Sequence, residues 1–135
     1  MARLRLDDDG YCFACGKNNP QGLKLEFSLD KENCLGTQFR FTKEHQGYKD
    51  IAHGGIIALI LDEVMGNLCW RLGKNTIGAQ LEVRFKHPTP VGSMLYFKGW
   101  IEKEEKNIVY MKAEARNKEK VVVAFARGKG VRLKY

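Results

Sequence analysis

From Ile56 to Leu72 the sequence is apolar on nearly every side of a helix. The stretch contains no proline, and Gly73 follows it where a C-terminal glycine cap would stand. A helix that is apolar all round must be buried on most of its sides. The rest of the chain is therefore predicted to wrap around this helix.

One face of the helix differs from the others because its residues are small or acidic. At about 100° per residue, five positions lie within roughly 40° of one direction; they are Gly55, Ala58, Asp62, Gly66 and Cys69. This small-residue stripe lets another backbone or a slender ligand approach closely, and a carboxylate within it is costly unless it is paired or used. Asp62 is therefore favoured as a residue that takes part in chemistry, with an ordinary polar position on the solvent side of the helix as the alternative.

A second stripe on the helix is polar. Glu63, Asn67 and Arg71 are spaced by four residues, so we predict that they face solvent and pair among themselves. This arrangement gives Glu63 an ordinary structural role. Glu63 is therefore only the reserve candidate for the catalytic acid.

Alternation of apolar and polar residues predicts six strands around the helix. They cover residues 23–30, 34–41, 76–86, 94–102, 108–116 and 121–133. Short turns between successive strands favour an antiparallel meander over a doubly wound sheet. Because one apolar helix needs a strongly curved sheet around it, we expect an α+β hotdog fold, a curved antiparallel β-sheet wrapped around one long central helix.

The chain of 135 residues is predicted to hold an irregular N-terminal segment, residues 1–22, and a single hotdog domain, residues 23–135. The segment contains Cys12 and Cys15 in a CxxC pattern. Zinc needs four ligands, and no second CxxC or CxxH accompanies the pair. No βαβ pattern surrounds it, as a thioredoxin-like motif would require. We interpret the pair as a structural loop and predict no metal site and no disulfide, with a zinc or redox role as the alternative.

The net charge of +7 fits either a nucleic-acid surface or an attraction for small anionic ligands. Lysines and glutamates alternate between residues 102 and 120, and only the segment 127–134 is uniformly basic. No aromatic and basic stacking motif accompanies these charges, so we expect no nucleic-acid partner. No apolar run approaches the roughly 20 residues of a membrane span, and no signal or transit peptide is recognised. The expectation is a cytoplasmic protein without a membrane partner.

His53-Gly54-Gly55 stands at the predicted start of the helix. The first backbone N–H groups of a helix lack internal partners, and the helix dipole makes that end positive. Because glycine has no Cβ, a ligand can approach, and a developing oxyanion would be stabilised there. The alternative is that the glycines only permit a tight turn. For His53, a helix N-cap and a donor that orients a substrate carbonyl are equally good interpretations.

Asp62 lies on the same helix face as Gly55, about 10.5 Å further along the axis. One carboxylate and one N–H that far apart cannot contact the same carbonyl. Two antiparallel helices packed through their small-residue stripes would place Gly55 of one subunit opposite Asp62 of the other. We therefore predict a two-fold homodimer with two shared active sites. Partial burial is expected to raise the pKa of Asp62.

His53-Gly54-Gly55, with Asp62 nine residues after the histidine on a helix rich in Ile, Leu, Ala and Met, resembles the PaaI-like branch of the hotdog-fold thioesterase superfamily. The segment 78–92, with its two prolines, and the segment 12–23 around the CxxC are similar to parts of the same family. The resemblance implies hydrolysis of an acyl-CoA thioester to a free acid and coenzyme A. Coenzyme A would enter as part of the substrate, and no separate cofactor is implied.

The resemblance also implies roles for individual residues. The catalytic residues would be Gly55, whose N–H polarises the thioester carbonyl, His53, which positions it, and Asp62 of the partner subunit, which activates water or attacks directly. The substrate-binding residues would be Gly54, Gln46, Arg84 and Lys86. The two basic residues are candidates for the coenzyme A phosphates. Gln46 stands near the position of an asparagine that the family often has before its HGG motif.

Two alternative functions keep the fold. A hotdog dehydratase or hydratase needs a catalytic histidine matched to a distant acid, and neither His45 nor His87 has an evident partner in the sequence. A non-catalytic acyl-CoA or lipid binder would not depend on the Asp62 carboxylate. The acyl chain, and the choice between a homodimer and a homotetramer built from two dimers, stay open.

Overall fold

The computed structural model describes residues 4–134, which form one α-helix and one six-stranded sheet. Helix α1 spans Gly54–Arg71. The strands are β1 (Ser28–Leu29), β2 (Leu35–Arg40), β3 (Thr76–Phe85), β4 (Met94–Glu105), β5 (Ile108–Arg116) and β6 (Val122–Arg132). All neighbouring strands are antiparallel. Apart from β1, the strands match their predicted ranges closely. Among the described residues, no helix is both long and apolar enough to cross a membrane.

The strand order in the sheet is β1-β2-β4-β5-β6-β3. Strands β4, β5 and β6 form the predicted meander. The expectation that β3 belongs to the same meander was wrong, because β3 lies at the far edge and pairs with β6. The connection 86–93 is long enough to pass across the end of the sheet, and its Pro88 and Pro90 cannot donate hydrogen bonds to a neighbouring strand. Strand β3 is therefore an edge strand, and it contacts helix α1.

The predicted strand 23–30 was largely wrong, since only Ser28–Leu29 pairs with β2. Lys24 has a φ of 54°, a left-handed conformation that interrupts an extended strand. The N–H of Leu25 donates to the carbonyl of Ala14 at 2.9 Å instead of to a strand. The residues before β1 are thus held by the N-terminal segment that carries the CxxC.

The buried face of α1 packs on the sheet, where β5 and β6 present small side chains. Ala113, Ala115, Ala124 and Ala126 are fully buried. On β4, a Cβ added to Gly99 would lie 3.0 Å from the carbonyl oxygen of Val64 on the helix. Because these positions carry little or no side chain, the helix backbone approaches the sheet closely. The helix contacts every strand from β2 to β6, as expected of a sheet that wraps around it.

Candidate active site

The start of α1 is capped by a predicted site residue. His53 is the N-cap, and its Nδ1 accepts a hydrogen bond from the N–H of Gly55 at 2.8 Å. This bond confirms the N-cap interpretation of His53. A neutral imidazole that accepts through Nδ1 carries its proton on Nε2. The ring therefore keeps one N–H donor that the cap does not use.

The cap changes which backbone donor is free at this end of the helix. The N–H of Gly55, the predicted oxyanion donor, is occupied by His53. The N–H of Gly54 has no acceptor among residues 4–134. A Cβ added to Gly54 would lie 3.3 Å from the ring of Phe85, so a side chain at this position would press against that ring. The available donor is therefore that of Gly54 rather than that of Gly55.

A cleft of about 800 Å³ opens at this end of the helix. Four predicted site residues line it, namely Gln46, His53, Gly54 and Lys86. Within the described chain, Arg84 lies on exposed surface outside the cleft lining. The Oε1 atom of Gln46 accepts a hydrogen bond from the N–H of Asp50 at 3.0 Å, which holds the loop before the helix in place. The cleft thus joins the predicted donor residues to one of the two predicted basic residues.

Sequence reasoning missed Thr89 and Phe85, which also line the cleft. The Thr89 side chain is 2% exposed, and its Oγ1 has no hydrogen-bond partner in the part of the chain described. A buried polar atom without a partner costs about 1–3 kcal/mol, so this hydroxyl is suited to bind a ligand or a water molecule. The prolines on either side of Thr89 indicate a rigid turn, but nothing in the sequence shows which way the hydroxyl faces.

Asp62 lies in a second, smaller groove of about 120 Å³ between α1 and the β3–β6 edge of the sheet. The residue is exposed in the single chain, yet the protein atoms around the carboxyl partly exclude water and raise its pKa above the ordinary value. The direction of this shift was predicted. No described residue lines both this groove and the cleft at His53. Within one chain, Asp62 and the free N–H of Gly54 therefore do not face the same cavity.

The small-residue stripe is exposed along most of its length. Gly55, Asp62 and Gly66 are exposed, Ala58 is half-buried, and only Cys69 is buried. The helix is buried on its other faces, as expected, and this stripe is the face that the single chain leaves open. The neighbouring edge strand β3 is also exposed at residues 78–82. Helix stripe and strand edge together form an open surface on the single chain.

The polar stripe of α1 pairs internally, as predicted. Asn67 donates to the carboxylate of Glu63 at 3.4 Å and accepts from Nε of Arg71 at 2.6 Å. The stripe does not simply face solvent, because the CxxC turn packs over it, with Sγ of Cys12 lying 3.8 Å from Oε1 of Glu63. Burial, together with Glu63 and Cys12, raises the pKa of the Cys15 thiol. Glu63 thus contacts Asn67 and Cys12 while also lining the groove that holds Asp62.

An antiparallel sheet wrapped around one helix, with a cleft at the helix N-terminus, defines a hotdog domain. A family model described as "Thioesterase superfamily" matches residues 50–124, from the loop before α1 into β6. The match covers more than half of the chain and includes His53, Gly54 and Asp62. The chain belongs to the thioesterase superfamily.

Two curated relatives carry the name acyl-coenzyme A thioesterase THEM5. The mouse protein (Mus musculus) is 27% identical over 88% of this chain and 60% of its own length. The human protein (Homo sapiens) is 29% identical over 64% of this chain and 34% of its own length. The chain therefore spans less than two thirds of the curated relatives that it matches.

Solved structures share the fold at lower sequence identity. A thioesterase superfamily protein superposes with a TM-score of 0.85 at 24% identity, covering 90% of this chain and 60% of that one. The E. coli PaaI protein gives 0.76 at 20% identity, with 82% and 84% covered. A hypothetical thioesterase of Streptococcus pneumoniae TIGR4, solved with coenzyme A, gives 0.74 at 18% identity, with 80% and 84% covered. These likenesses confirm the hotdog fold.

Proposed function

We propose that this chain hydrolyses acyl-CoA thioesters to a free acid and coenzyme A. The observation that carries the proposal is the free N–H of Gly54 at the start of α1, in a cleft that also holds His53. Attack on a thioester carbonyl places negative charge on its oxygen, and a preorganised donor at a helix N-terminus stabilises that charge. The name of the THEM5 relatives and the coenzyme A bound by the S. pneumoniae protein support this substrate class.

The proposed donors are the N–H of Gly54 and the Nε2–H of His53. The cap bond to Gly55 fixes the imidazole at the helix start, so its free N–H is held on the same end as the backbone donor. Gly55 then acts through the cap, by orienting His53, and does not contact the substrate itself. This refines the assignment made from the sequence, in which Gly55 donated directly.

The proposed acid is Asp62 of the partner subunit. As a base, its carboxylate removes a proton from water while the water oxygen bonds to the acyl carbon, and the coenzyme A thiolate then leaves and is protonated. As a nucleophile, it attacks the acyl carbon, and the C–S bond breaks to release the coenzyme A thiolate, which is protonated. Water then hydrolyses the resulting anhydride to the free acid and regenerates the carboxylate. The separate groove of Asp62 within one chain supports a site shared between subunits.

The proposed dimer packs two copies through the exposed stripe and the β3 edge. A Cβ added to Gly66 would meet no described atom within 4 Å, so the single chain leaves room there for a second backbone. Strand β3 spans Thr76–Phe85 at the end of the sheet. One side of an edge strand carries unpaired backbone N–H and C=O groups, which a second copy can pair. Association of two dimers into a tetramer is a further step that this surface does not require.

The proposed binding site for the coenzyme A phosphates is basic. Lys86 lines the cleft, and Arg84 lies two residues earlier on the exposed end of β3. The net charge of +7 favours approach of an anionic substrate. Gln46 and Thr89 are the polar side chains available for the acyl part. The reaction needs no cofactor, and we propose a cytoplasmic location.

Release of coenzyme A from a panel of short, long and aromatic acyl-CoA esters tests the activity. We expect the wild-type protein to hydrolyse at least one ester. A thiol-trapping reagent measures the coenzyme A released, and mass spectrometry identifies the acid product. Binding of esters without release would instead identify an acyl-CoA binder. Addition or loss of water on the acyl chain with the thioester intact would identify a dehydratase or hydratase.

Two substitutions at His53 separate capping from substrate binding. His53→Ala removes the acceptor for the N–H of Gly55 and is expected to cost about 0.5–2 kcal/mol of stability. His53→Asp keeps a good N-cap acceptor but has no hydrogen-bond donor when ionised, and it should stay near wild-type stability in urea unfolding. Because both variants lack a side-chain donor, both should lose about 10²–10³ in kcat/KM. If His53→Asp regained activity together with stability, the histidine would be a cap and nothing more.

A further inference from the structure

We propose that Cys12, Cys15 and Glu63 bind a zinc ion that fastens the N-terminal segment to helix α1. The zinc site lies apart from the cleft at His53, which none of the three residues lines within the described chain, and of the three Glu63 alone also borders the groove of Asp62. It gives the CxxC, which sequence analysis interpreted as a structural loop, a definite chemical role.

The spacing of the three side chains suits a tetrahedral ion. Their ligand atoms all lie within 4.8 Å of one another, and Sγ of Cys12 is 3.8 Å from Oε1 of Glu63. Zinc bonds of about 2.3 Å to sulfur and about 2.1 Å to oxygen place tetrahedral ligands roughly 3.6–3.8 Å apart. Shifts of about 1 Å or less would therefore close the site, with water at the fourth position.

The fold holds the two cysteines in a tight turn. The N–H of Gly16 donates to the carbonyl of Cys12 at 2.8 Å. A Cβ at Gly16 would lie 2.5 Å from the backbone of both Cys12 and Gly10, so only glycine fits after the second cysteine. Ala14, between the cysteines, is 3% exposed and belongs to the core. The turn is thus fixed against the domain before any ion binds.

Neighbouring polar groups surround the three ligands as a metal site requires. Nδ2 of Asn67 lies 3.8 Å from Sγ of Cys15 and 3.4 Å from Oε1 of Glu63. Arg71 donates to the Asn67 oxygen at 2.6 Å and so orients the amide nitrogen towards the ligands. Hydrogen bonds of this kind orient metal ligands and tune their basicity.

The negative charge of the cluster also favours a bound cation. Arg71 contacts Asn67 rather than Glu63, and no ion pair among residues 4–134 neutralises the Glu63 carboxylate. Cys12 and Cys15 are free thiols. Two thiolates and a carboxylate favour Zn²⁺ over Mg²⁺ or Ca²⁺, which prefer oxygen ligands alone. A bound zinc ion would supply the positive charge that the described protein does not.

Metal content of the full chain tests the proposal. We expect about one zinc per chain after dialysis of the protein purified without chelators. After removal of zinc, added Co²⁺ should give a thiolate-to-metal absorption band. Cys12→Ser, Cys15→Ser and Glu63→Gln should lose zinc, whereas Asn67→Ala should weaken binding about 10–100-fold. Cys34→Ser removes a thiol elsewhere and should keep full occupancy.

A folding control accompanies each variant, using circular dichroism and the melting temperature with and without zinc. Zinc should raise the melting temperature of the wild-type protein and of Cys34→Ser, but not that of Cys15→Ser. Zinc binding by wild type no tighter than by folded Cys12→Ser/Cys15→Ser would overturn the proposal. A Cys12–Cys15 disulfide in protein kept under reducing conditions would overturn it as well. These readouts do not depend on thioesterase activity.

Discussion

Asp62→Asn is expected to lower kcat/KM for acyl-CoA hydrolysis by about 10²–10⁴ while the protein stays folded. Asparagine is nearly isosteric with aspartate, so the groove beside Gly66 keeps its packing. An amide can neither accept a proton from water nor form an anhydride with the acyl group. Steady-state release of coenzyme A from the best ester of the panel measures the loss.

A matched variant and a pH profile make this result specific. Glu119→Gln neutralises an exposed carboxylate in the turn between β5 and β6 and should keep wild-type activity. In the wild-type protein, kcat/KM should fall as the pH drops through the pKa of Asp62, which desolvation holds above the usual aspartate range. Equal rates for Asp62→Asn and wild type would exclude Asp62 from the reaction.

The same substitution should not weaken the fold. Because the pKa of Asp62 is higher in the folded chain than in the unfolded one, the folded state binds this proton more tightly. Its contribution to stability is therefore present at low pH and is lost as the pH rises through the folded-state pKa. At neutral pH, Asp62→Asn should unfold in urea at the same or a higher midpoint than wild type.

Mixing two inactive variants is expected to restore activity if each site uses residues of both subunits. One chain carries Asp62→Asn, and the other carries Gly54→Val, whose side chain fills the space in front of Phe85. A mixed dimer then contains one site with an intact Gly54 and an intact Asp62, and one site with neither. After random exchange of equal amounts, half of the dimers are mixed. About a quarter of all sites should then be complete, which predicts about a quarter of the wild-type activity.

The control for this mixture pairs Asp62→Asn with a chain that carries both substitutions. No dimer in that mixture has a complete site, so it should stay inactive. His53→Ala can replace Gly54→Val if the valine variant does not fold. Absence of recovery despite proven subunit exchange would place the whole site within one chain, and a monomer in light scattering would exclude the shared site.

Local sequence patterns were sufficient to predict most of the fold. The helix and five of the six strands follow from apolar periodicity, which depends on residues a few positions apart. The position of β3 was missed because its pairing with β6 is decided by how the long connection 86–93 crosses the sheet. The length of strand β1 was overestimated because the backbone hydrogen bond from Leu25 to Ala14 replaces pairing with another strand.

The candidate site was predictable in composition but not in detail. His53, Gly54 and Asp62 were proposed from their positions on the helix. The choice of Gly54 over Gly55 depends on one rotamer of His53, which turns Nδ1 towards the Gly55 N–H, and no pattern encodes it. The contact between Cys12 and Glu63 joins residues far apart in sequence. Such a contact can be recognised only once the fold of the N-terminal segment is known.

The alanines beneath α1 limit how this sequence can change. Ala113, Ala115, Ala124 and Ala126 are fully buried, and every replacement except glycine is larger. Mutational drift there would therefore push the helix outward rather than open a void. Because α1 carries both the donor end and Asp62, such a displacement would alter their alignment in the proposed dimer. In a lineage of homologues, variation at the centre of the sheet should thus cost turnover before it costs folding.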